Sequence, residues 1–148
     1  MYKTILVPLD GSKEAERILR HVENLAQCFR SRVIFVQIVR LPRISGVEEY
    51  STKLHRREIE QRFKEAESYL KSLKGEFREK GIHARTHVVH GPVVNTIINI
   101  AEREAVDLIA MTSHGRTGLA RVFYGSVAAG LLHLADRSLL IIRSQNIA

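Results

Sequence analysis

One cysteine, no tryptophan and three prolines among 148 residues remove several classes of protein at once. A lone Cys28 cannot close an internal disulfide and has no basic cluster beside it in sequence to activate its thiol, so an inert thiol in a reducing cytoplasm is expected. With 45% hydrophobic and 26% charged residues the composition is that of an ordinary globular chain, which excludes collagen and disorder. No apolar run approaches the roughly 18 residues that cross a bilayer. The opening run, Thr4 to Leu9, is also too short for a signal peptide, so no membrane partner is expected. The length predicts one domain over residues 1–148.

No region concentrates charge of one sign. The formal charge of +7 is spread as six basic and four acidic groups over residues 1–39, eleven and eight over 40–80, and six and four over 81–148. Basic residues alternate with Glu58, Glu60, Glu65 and Glu67, and no aromatic platform lies between them. A solvated mixed surface is therefore expected, and nucleic acid is not an expected partner.

The apolar pattern alternates between two periods. Thr4 to Leu9 and Arg32 to Val39 are apolar on both faces, as strands of a covered parallel sheet are. Between them Ser12 precedes a helical stripe of Ala15, Ile18, Leu19, Val22, Leu25, Ala26 and Phe29, with Ser12 placed to cap it. A long charged helix running from beyond Gly46 to about Lys80 carries one seam, Ile59, Phe63, Ala66, Leu70, Leu73 and Phe77, and Gly81 is placed to terminate it. Ile82 to Val89 alternates with a wet side, as an edge strand does. Gly91-Pro92 then opens a helix with Val94, Ile97, Ile98, Ala101 and Ala105 inward, and Val106 to Met111 forms a fourth strand. A helix from about Ser126 with Val127, Leu131, Leu134 and Ala135, and a strand Leu139 to Ile142, complete the order. The βαβαβαβαβ alternation predicts a three-layer α/β sandwich: a five-stranded parallel sheet with helices on both faces, Rossmann-like, with ligands beyond the strand C-termini.

Familiar phosphate signatures are missing too. There is no Gly-Lys dipeptide, hence no P-loop, and no G-x-G-x-x-G. Nor is there an acidic residue between Asp107 and Asp136, an interval that holds His114, Arg116, Arg121 and His133. Gly125-Ser126 opens a helix there, and the exposed amides and dipole of such a helix start favour an anion. Met111-Thr112-Ser113-His114-Gly115, nine further residues and Gly125-Ser126-Val127-Ala128 resemble the nucleotide loop of the universal stress protein family. The opening Ile5-Leu6-Val7-Pro8-Leu9-Asp10-Gly11-Ser12, the strand end Val36-Gln37-Ile38 and Gly91-Pro92 extend the resemblance over essentially the whole chain.

The resemblance implies the adenine nucleotide alpha hydrolase-like fold and binding of ATP, with ADP and AMP as related ligands and Mg²⁺ carried by the phosphates. By that resemblance Pro8, Leu9, Asp10, the backbone at Ile38, and Met111 surround adenine and ribose. Thr112, His114, Gly115, Arg116, Gly125, Ser126 and Val127 make up the loop that receives ribose and phosphates. Thr112 departs from the family pattern, which has another glycine there. The resemblance further implies a homodimer formed through Leu139, Leu140, Ile141 and Ile142, and a stress-response sensor or regulator. The rival reading within the family is a dimeric interaction module that binds no nucleotide.

Other chemistries fit the sequence poorly. His83 and His87 share a strand face about 13 Å apart at roughly 3.3 Å per residue, too far for one ion, so no metal site is expected. Ser113 and His114 are neighbours with no orienting acid nearby. A receiver domain needs an acid after its third strand and a Lys after its last, where this chain has His90-Gly91 and Arg143. A flavin site wants stacking aromatics, and nine Phe and Tyr lie mostly in helices. No catalytic residue is assigned, and at most slow ATP hydrolysis is expected.

Overall fold

The computed structural model describes residues 1–40, 49–113 and 126–143. Five strands, β1 (Thr4–Leu9), β2 (Arg32–Val39), β3 (Ala84–His90), β4 (Leu108–Thr112) and β5 (Ser138–Ile142), form one parallel sheet in the order β3-β2-β1-β4-β5. The helices are α1 (Leu19–Phe29), preceded by a short 3-10 turn Ala15–Ile18, then α2 (Glu49–Glu79), α3 (Val93–Arg103) and α4 (Ser126–Leu134). The winding reverses between β1 and β4. This is the three-layer α/β sandwich that the alternation predicts.

Period-two strands explain the two cores. Ile5, Val7, Phe35 and Leu108 face one side and bury against Ile18, Val22, Leu70 and Phe77. Their neighbours Leu6, Ile34, Val36, Ile109 and Met111 face the other and bury against Ile97, Ile100 and Leu131. The first layer is thus α1 and α2, the second α3 and α4. Phe35 and Phe77 meet edge to face at 5.0 Å between centroids, an arrangement favoured by the ring quadrupoles. The seam of α2 packs as its spacing predicts, with Ala66, Leu70, Leu73 and Phe77 all buried.

Helix and strand ends depart from the periodic reading. Ser12 Oγ accepts the Ala15 amide as a cap at 3.1 Å. The first turn nevertheless winds tightly, Arg17 N–H reaching back three residues to Glu14, and α-helical structure begins at Leu19. Ala105, expected on the inward stripe of α3, is exposed instead. That helix ends at Arg103, and Ala105 takes a left-handed φ of 50°, so its methyl leaves the stripe while Ile100 fills it. Leu134 is likewise 61% exposed, because α4 ends with it. β3 begins at Ala84 and β4 at Leu108, each two residues later than the apolar runs suggest. Gly81 does terminate α2, with φ 77° and its amide on the Arg78 carbonyl.

Burial of the α2 seam predicts a sharp contrast. Leu70→Ala, at a fully buried position, should cost about 2–5 kcal/mol in urea unfolding. Leu54→Ala, at a position 63% exposed, should stay within about 0.5 kcal/mol of the parent.

Candidate functional site

The crevice at the reversal point is built by strand pairing that stops early. At the N-terminal end β1 and β4 are paired, Ile5 with Leu108 and Leu6 with Ile109. Asp107 secures this end by accepting the backbone amides of Lys3 and Thr4 at 2.7 and 2.9 Å. Toward the C-terminal end the pairing lapses, although β4 continues to Thr112. Pro8, which continuation of the register would set opposite Met111, has no N–H for the ladder. The neighbouring edge is also open. β1 pairs with β2 only as far as Leu9 with Gln37, while β2 runs on through Ile38 and Val39.

A cleft of about 870 Å³ fills this gap, within the size range of small-molecule sites. Pro8, Leu9, Asp10, Ile38, Met111, Thr112, Ser126 and Val127 all line it. Eight of the twelve residues singled out from the sequence therefore converge; His114, Gly115, Arg116 and Gly125 lie outside the described residues. Asp10 Oδ1 accepts both the Ser12 amide, at 2.9 Å, and the Ser12 hydroxyl, at 2.5 Å. Thr112 is 4% exposed, and its hydroxyl donates to the Ala15 carbonyl at 3.1 Å. The start of α4 brings Ser126 and Val127 to the opposite wall from α2. The N-terminal end of a helix carries a partial positive charge, which makes the wall lined by Ser126 and Val127 receptive to an anion.

Sequence reasoning missed the wall supplied by α2. Arg62, Glu65, Ala66 and Tyr69 line the cleft, as do Gln37 and Arg40 at the end of β2. Arg62 donates to the Arg40 carbonyl at 3.1 Å and pairs with Glu58 at 2.9 Å, so it braces the end of β2. Gln37 Oε1 is buried and meets no hydrogen-bond partner among the described residues, and the buried Tyr69 hydroxyl has the Glu16 carboxylate nearby. Burial pushes the Tyr69 phenol well above its ordinary range, and the nearby Glu16, then Asp10 and Glu76, push it further. It therefore remains a neutral O–H. The available signal was a tyrosine directly beside Leu70 of the buried seam, on an otherwise charged stretch of the helix.

The sequence model of the universal stress protein family matches residues 1–143. The chain belongs to the universal stress protein family. Among universal stress proteins it is similar to MJ0577 of Methanocaldococcus jannaschii, with 29% identity over 162 residues covering 99% of this chain and 98% of that protein. The solved structure of MJ0577 superposes with a TM-score of 0.85 at 28% identity, over 99% of each chain. MJ0531 of the same organism is 31% identical over 144 residues, 97% of this chain and 83% of its own length. A universal stress protein from Archaeoglobus fulgidus, solved in complex with dAMP, shares the fold at a TM-score of 0.63 and 20% identity, over 95% of this chain and 98% of its own. The sandwich is thus the adenine nucleotide alpha hydrolase-like fold of universal stress proteins. Among the described residues, no helix is long and apolar enough to cross a membrane.

The Tyr69 phenol gives this universal stress protein a particular alkaline response. Its folded-state affinity for the proton exceeds that of an unfolded tyrosine, near pH 10. Above that pH the unfolded chain binds fewer protons than the native one, so stability falls as pH rises. Tyr69→Phe should flatten the decline in urea midpoint between about pH 10 and 11 relative to the parent.

Proposed function

We propose that this universal stress protein binds an adenine nucleotide, ATP above all, and acts as a homodimeric sensor or regulator in the cytoplasm. The observation that carries the reading is convergence. Pro8, Asp10, Ile38 and Met111 meet the N-terminus of α4 in one cleft where the sheet reverses. The apolar side chains suit a flat base, and the unpaired edge of β2 at Ile38 offers backbone groups to its rim. Ser126 and Val127 present amides to phosphate, in a stretch of sequence with no acid from Leu108 to Ala135. His114, Gly115, Arg116 and Gly125 take the phosphate-loop roles that the family pattern assigns them, and Mg²⁺ accompanies the phosphates. The related protein in complex with dAMP supports an adenine ligand.

Thr112 is compatible with this reading. Alternation along β4 puts its side chain on the face of Leu108 and Ala110, opposite the face that holds Met111. The bulk of a β-branched residue is therefore taken up against Ala15 rather than in the base slot. Turnover is slow at most. The phosphate end lacks an acid to activate water, and the chain has no P-loop lysine.

Dimer formation through β5 is supported by the edge itself. Leu139, Leu140, Ile141 and Ile142 are only half-buried on an outer strand, and Leu132 at 66% and Leu134 at 61% exposure lie on the preceding helix. An apolar strand with unpaired backbone groups invites a second copy.

Denaturing the freshly purified protein should release an adenine nucleotide detectable by mass spectrometry, and ATP should titrate the emptied protein calorimetrically. No released nucleotide and no heat with ATP or AMP would replace this reading with that of an interaction module. Ile141→Lys should convert dimer to monomer in light scattering; an unchanged mass would remove β5 as the interface.

A further inference from the structure

Resting on the nucleotide reading of the cleft, we infer that Thr112 is a positioning residue that fixes the Asp10 carboxylate through a hydrogen-bond relay across the crevice. Four residues on two chain segments are involved. The Thr112 hydroxyl donates to the Ala15 carbonyl at 3.1 Å. The Ala15 amide donates to Ser12 Oγ at 3.1 Å, and the Ser12 hydroxyl donates to Asp10 Oδ1 at 2.5 Å. The Ser12 amide adds a second bond to the same oxygen at 2.9 Å.

Each link has its donor and acceptor assigned without ambiguity at the ends that matter. Thr112 must donate, because a carbonyl only accepts; Ser12 must donate to Asp10, because a carboxylate only accepts. With Oδ1 held twice, rotation of the carboxylate is suppressed and Oδ2 is aimed by the relay rather than by chance. Among the described residues no hydrogen bond engages Oδ2. The relay also spans the two strands that diverge at this end. Asp10 follows β1 and Thr112 ends β4, and direct ladder pairing between β1 and β4 has ceased by then. Thr112 is 4% exposed, so water does not compete for its hydroxyl, and the relay couples through the fixed position of the Ala15 backbone.

A glycine at position 112 would leave the crevice open and Asp10 held only by its own turn. The departure from the family pattern thus exchanges backbone freedom for a fixed carboxylate. Asp10 then meets a ligand hydroxyl in one orientation, and the ordering is complete before the ligand arrives.

The test is a double-mutant cycle read by ATP calorimetry on the full chain. Thr112→Val keeps shape and burial but removes the donor, and should weaken ATP about tenfold. Thr112→Ser restores the hydroxyl and should bind within about threefold of the parent. Asp10→Ala should weaken ATP by at least as much as Thr112→Val, and adding Thr112→Val to it should produce little further loss, because the relay then has nothing to position. Unchanged affinity in Thr112→Val, or losses that multiply in the double variant, would overturn the inference. A purely structural threonine would lower the melting temperature while leaving the two affinity losses independent. If the parent binds no ATP, the nucleotide reading fails, and the positioning role fails with it. The relay itself is then judged by unfolding of Thr112→Val, Ser12→Ala and their combination. Coupled effects would uphold the bonding chain, and additive ones would overturn that as well.

Discussion

Two adjacent strands that pair at one end and part at the other set the terms for everything else in this protein. At the lower end Asp107 clasps the start of β1 through the amides of Lys3 and Thr4. At the upper end β1 and β4 lie unpaired, ending level at Leu9 and Thr112, while β2 continues to Val39. The cleft is the space that this mismatch leaves, and its walls come from opposite layers: Tyr69 and Glu65 from α2, Ser126 and Val127 from α4. A ligand lying across the rim is therefore in contact with both layers.

The two walls differ electrostatically. The α4 side lies within the acid-free interval and carries a helix N-terminus, while Asp10, Glu65 and the neutral Tyr69 lie toward the other side. For the nucleotide proposed above, this polarity favours phosphates toward α4. The formal charge of +7 contributes little to this, because it is distributed over mixed surfaces. The exposed pair of Arg62 with Glu58 adds little stability either. Its use is geometric, since it steadies the guanidinium that holds the Arg40 carbonyl.

The fold was largely legible in the sequence because burial imposes period. The strands covered on both faces, the α2 seam from Ala66 to Phe77, the wet strand β3 and the terminator Gly81 all follow from residue spacing and chemistry. Ala105 and Leu134 did not, since helix ends depend on where a chain turns rather than on its stripe. Strand ends pointed to the loops at Asp10 and before Ser126, while the convergence of Pro8, Ile38 and Met111 with them was legible through the family resemblance. Tyr69 was less so, because its place beside Leu70 marks a side chain near the core and says nothing of the cleft it lines. Thr112 is a subtler case. From sequence it reads as bulk intruding where a glycine is usual, and only the parity of β4, with Leu108 and Ala110 facing α1, shows on which side that bulk falls.

Pro8 has an implication for how such a protein can change over time. The side chains of Ile38, Met111 and Val127 can be exchanged for others without giving β1 the donor it lacks, so the opening between the strands outlasts any particular lining. A lineage can therefore alter the lining while inheriting the opening intact. The recess itself is held by an imino acid in the main chain, and the lining residues remain free to diverge.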